Sequence, residues 1–144
     1  MRSLIFASLG LAGSLACNAP LDAPGPLSGA WKVDSASPGA PPRTMTLMQR
    51  GPSVTGTGAA VGVDYPIPVT ISGSATGATA VSPVLVQLLF SFDNGGGITA
   101  AFSGTLTSDG RLVGSVVYYG ITSVPQPGRL AFARPGIERG GAGN

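Results

Sequence analysis

The chain has 144 residues, 43% hydrophobic and 10% charged, and its mean hydropathy of +0.34 argues against plain disorder. Eight basic and six acidic residues give a charge of +2, and the cations from Lys32 to Arg139 stand singly. A nucleic-acid partner, which needs clustered basic side chains against phosphates, is therefore not expected. With no histidine, no Cys-x-x-Cys and no phosphate-binding glycine loop, the common hydrolytic triads and imidazole metal sites are excluded. The expectation is a non-enzymatic protein with no cofactor and no metal.

In chain order, Arg2 followed by the apolar run Leu4 to Ala12 reads as an export signal, too short to span a bilayer as a helix. The run ends Ser14-Leu15-Ala16-Cys17, and Cys17 is the single cysteine of the chain. A lone cysteine in an exported protein has no internal disulfide partner. These residues resemble a bacterial lipoprotein signal, which implies cleavage after Ala16, acylation of Cys17 with a chain such as palmitate, and a membrane partner through that lipid. Asn18, where an aspartate would imply inner-membrane retention, points the resemblance to the outer membrane or cell surface. The alternative is an ordinary signal cut after Ala16, leaving a periplasmic or secreted protein. Residues 17–26, rich in proline, read as an extended tether.

From Leu27 the dominant period is two. Leu27, Gly29, Trp31 and Val33 share a face, as do Met45 and Leu47; Val54 to Gly58 follows. Ile67, Val69, Ile71 and Gly73 alternate with Pro68, Thr70, Ser72 and Ser74, and Val84 to Phe92 is the most apolar run. Ile98 to Thr107, Leu112 to Gly120 and Arg129 to Arg134 complete eight expected strands. The Asp109-Gly110 pair is the best hairpin signal, and Arg50-Gly51-Pro52 and Asp93 to Gly97 mark further reversals. No amphipathic helix is legible.

The expected fold is all-β, an eight-stranded antiparallel up-and-down meander closed into a barrel, with a two-sheet β-sandwich as the alternative. The expected division is a signal peptide over 1–16, the lipidated cysteine and tether over 17–26, the barrel over 27–134, and a disordered tail over 135–144. Val54-Thr-Gly-Thr, Ile71-Ser-Gly-Ser and Phe102-Ser-Gly-Thr repeat one form, with glycine where a coiled barrel strand bends.

Gly29-Ala30-Trp31 at the start of the first strand resembles the opening of calycin barrels, the lipocalin and avidin group. In lipocalins this tryptophan lies at the closed end under a basic side chain from near the final strand, and the resemblance implies that part for Arg134. The alternative is a core Trp31 with an unrelated surface arginine. Biotin binding does not carry over, because Trp31 is the only tryptophan.

Inward glycines at positions 56, 58, 73, 104 and 114 allow a cavity for a small hydrophobic ligand, lined by Trp31, Tyr65, Phe90, Phe102 and Tyr118. The competing expectation is an interior filled by its own aromatic rings. Asp64, Asp93 and Asp109 could hold charge chemistry, but their surroundings suit turns. The proline-rich stretch Ser35 to Pro42 reads as a binding lip or a plain solvated connection. The function expected is an envelope binding or structural module, with protein contact without a cavity, or protease inhibition by resemblance to small lipoprotein barrels, as alternatives.

Overall fold

The computed structural model describes residues 23–37, 41–77, 83–120 and 124–136. The signal segment, Cys17 and residues 137–144 of the expected tail lie outside the described residues. Eight strands follow one another: β1 (Gly29–Ser37), β2 (Pro42–Arg50), β3 (Ser53–Val61), β4 (Pro66–Thr76), β5 (Val84–Phe92), β6 (Thr99–Leu106), β7 (Leu112–Tyr119) and β8 (Gln126–Ala133). Each pairs antiparallel with its sequence neighbour, and β8 returns to β1 to close the barrel. Closure excludes the sandwich. The seam between β1 and β2 is the shortest pairing: it runs over Gly29 to Lys32 only.

The alternation seen in the sequence decides which face is buried. In β5, Val86, Leu88, Phe90 and Phe92 point inward and are buried, while Leu85, Gln87, Leu89 and Ser91 face solvent. A slip of one residue would exchange those sets, so the pattern pins the register. Several strands, β2, β3, β4 and β8 among them, are longer than the sequence suggested. β2 begins at Pro42, where a first-strand position tolerates the missing N–H, and β8 begins at Gln126. Leu27 lies outside β1 and is fully buried, so it acts as a plug before the first strand.

Irregularities fall between Val33 and Ser35 in the β1–β8 pairing, and between Pro42 and Thr44 in the β2–β3 pairing. Bulges of this kind sharpen local twist, as a small barrel requires. At the Asp109-Gly110 hairpin, Gly110 N–H donates to the Thr107 carbonyl at 3.0 Å and Gly110 holds φ at 79°. That left-handed conformation is why glycine stands there.

The inward glycines bring neighbouring strands together. A Cβ added at Gly73 would lie 2.0 Å from the Gln87 carbonyl oxygen, and one at Gly114 would lie 2.3 Å from that of Ser103. Gly104 and Gly114 face each other across β6 and β7. Phe102 lies over Gly104, its Cζ 2.6 Å from where a Cβ would stand. The glycines therefore take up close backbone and ring contacts.

Candidate functional site

The best-built polar site is the closed end, where the segment ahead of β1 meets the residue that follows β8. The indole N–H of Trp31 donates to the Leu27 carbonyl at 2.8 Å, and Trp31 is buried. The structure places the Arg134 guanidinium carbon 4.5 Å from the centre of the Trp31 ring. Arg134 also donates to the carbonyls of Ser28 at 3.0 Å and Pro26 at 2.6 Å. The guanidinium thus serves the ring face and two backbone acceptors at once. A cation–π contact of this kind contributes about 0.5–2 kcal/mol.

Gln49 completes this end, and sequence reading passed it over. It is buried; its Oε1 accepts from Leu27 N–H and its Nε2 donates to the Gly51 carbonyl, both at 3.0 Å. Its backbone N–H donates to Ser28 Oγ at 2.9 Å, and its carbonyl accepts from Gly25 N–H at 3.0 Å. Residues Gly25 to Ser28 are thereby strapped beneath the barrel. The signal was available: Gln49 shares parity with Met45 and Leu47, and a polar residue at an inward position needs partners.

Above this end the interior is occupied. The rings of Phe90, Phe102 and Phe132 form a triangle with centroids 6.3–6.4 Å apart, two of the contacts edge-to-face. Such spacing is favourable for aromatic pairs. Of the five expected lining residues, Trp31, Phe90, Phe102 and Tyr118 are buried in one core cluster. Tyr65 stands apart from them: it is 68% exposed, in the turn between β3 and β4, where the inward–outward alternation has ended.

Burial pushes the Tyr118 hydroxyl up to about 12. Below about pH 10 both folded and unfolded chains hold this proton, and stability does not depend on it. Between about 10 and 12 the unfolded chain ionises first, so stability falls as pH rises through that window. Urea unfolding at about pH 9 and about pH 11 should therefore show a lower midpoint at the higher pH. Tyr118→Phe should remove most of that difference; an equal difference in the variant would exclude Tyr118 as its source.

Three of the described acidic residues occupy turns. Asp64 lies between β3 and β4, Asp93 between β5 and β6, and Asp109 between β6 and β7. The Thr107 hydroxyl donates to the Asp109 carboxylate, and this bond holds the Asp109 carboxyl below its ordinary range. Asp34 pairs with Arg111. On the outside of β4 to β7 a shallow groove of about 450 Å³ is lined by uncharged side chains, among them Ser72, Gln87, Leu89 and Ser103. No protein-family model, curated protein or solved structure matches the chain.

Proposed function

We propose that this chain is a lipid-anchored envelope module whose calycin-like barrel serves as a rigid, non-catalytic contact domain and carries no internal cargo. One observation carries the reading: the Phe90, Phe102 and Phe132 triangle stands in the barrel centre, where a carried ligand would sit. The close strand contacts at the inward glycines support it, because they narrow the same space. The Trp31–Arg134 stack supports likeness to the calycin group. The anchor rests on the signal-like run before Cys17.

Native mass spectrometry of the mature chain tests the filled interior. The expected mass is that of the polypeptide with its N-terminal lipid and nothing more. A reproducible further mass that leaves on denaturation would restore the carrier reading. In cell fractionation, Cys17→Ala should leave the barrel folded and release it from the washed, high-salt membrane fraction. Membrane retention equal to the parent chain would count against the anchor.

A further inference from the structure

Cations that stand apart in the sequence come together on one side of the barrel. Lys32 and Asp34 lie on β1, Arg43 and Arg50 on β2, and Arg129 on β8. These three strands are contiguous, because β1 pairs with both β2 and β8. Strands β3 to β7 carry no charged residue at all. Lys32 stands opposite Thr44, the neighbour of Arg43, and Arg129 stands opposite Ser37 of β1.

The balance on this wall is one-sided. Arg111 reaches across from the β6–β7 turn to pair with Asp34. That engages the single carboxylate of the wall and adds a further cation. Lys32, Arg43, Arg50 and Arg129 are exposed. Of the other described carboxylates, Asp64 lies beside Arg43 from the β3–β4 turn, Asp109 lies two residues from Arg111, and Asp93 sits between β5 and β6. Met48 is 52% exposed on the outer face of β2 between these cations.

We propose that the β8–β1–β2 wall docks on an anionic lipid surface, laying the barrel on its side with the uncharged wall outward. Charge complementarity selects an anionic surface, and the position of the chain selects a membrane. The strap at Gly25 and Pro26 is tied to the foot of this same wall through Gln49 and Arg134. The stretch from Cys17 to Gly25, fully extended, reaches at most about 28 Å. Basic side chains within a Debye length of an anionic leaflet attract it, while lysine and arginine stems lie along the interface. The orientation builds on the lipid-anchored reading, but the attraction itself needs no acyl chain.

The test uses the chain from Asn18 onward. Every strand pairing and the core cluster among the described residues lie within residues 25–134, all of which this piece contains. It should co-sediment with vesicles containing phosphatidylglycerol at low salt, not with pure phosphatidylcholine, and should be released as salt rises. Lys32→Ala, Arg43→Ala and Arg129→Ala should each lower partitioning about fivefold. Gln87→Ala, on the opposite wall, should change nothing. Absence of binding to the anionic vesicles, or indifference to the wall substitutions, would overturn the proposal. So would capture by a soluble polyanion such as heparin with the vesicles ignored. Failure here with Cys17-dependent membrane retention intact removes the docking wall and keeps the anchor; the reverse pair of results removes the anchor and keeps the wall.

Discussion

Gly73→Ala should lower stability by about 3 kcal/mol, the upper part of the range for forced overpacking. The added Cβ would stand 2.0 Å from the Gln87 carbonyl oxygen and 2.9 Å from the Leu88 Cα, both backbone atoms of β5. No side-chain rotation relieves that contact. The β4–β5 ladder, which pairs Gly73 with Leu88, has to part locally or shift as a unit. Because the sheet is closed, a shift between two strands is transmitted around the barrel. The comparison is Gly51→Ala: φ there is 55° and nothing lies within 4 Å of the added atom, so only the left-handed backbone resists. That costs about 1–2 kcal/mol. Urea unfolding of both variants, read as the change in midpoint at unchanged slope, checks the difference. Equal losses would mean that the close strand contact at Gly73 is not limiting.

Phe102→Ala should cost about 3–5 kcal/mol and open a void at the barrel centre. Phe102 touches both other rings of the triangle and lies over Gly104, so no neighbouring side chain can replace it without leaving its own place. The void would be walled by Phe90, Phe132 and aliphatic groups, and apolar voids of this kind stay dry and take up small apolar molecules. Benzene should therefore raise the melting temperature of the variant and leave that of the parent unchanged. A parent chain stabilised to the same extent would show that its interior is not full.

The barrel was legible in the sequence because one buried face writes period two into each strand. Met45 and Leu47, or Ile67 through Gly73, mark a face without any knowledge of neighbours. The inward glycines were legible as positions and not as purpose: a missing side chain reads the same whether it leaves space or admits a neighbouring backbone. Gly114 shows why, since the atoms that fill its space belong to Ser103 and Gly104 of another strand. Gln49 and the basic wall were missed for a further reason. Their partners lie far off in sequence: Gln49 bonds Leu27 and Ser28 ahead of β1, and Arg43 and Arg129 share a side because β8 closes onto β1.

That same closure sets the order in which the molecule can be made. β1 has β2 as a neighbour early, but its other neighbour is the last strand, ending at Ala133. Until β8 has emerged, the β1 edge is unpaired and Trp31 lacks its Arg134 cover. Pairings between distant parts of a chain are slow to form, because the intervening loop must first lose its entropy. A nascent copy therefore cannot complete its sheet, and remains an open chain until its last strand is made. Folding is held back until the whole domain has been made, and the closed end, built from both extremities of the domain, is assembled last.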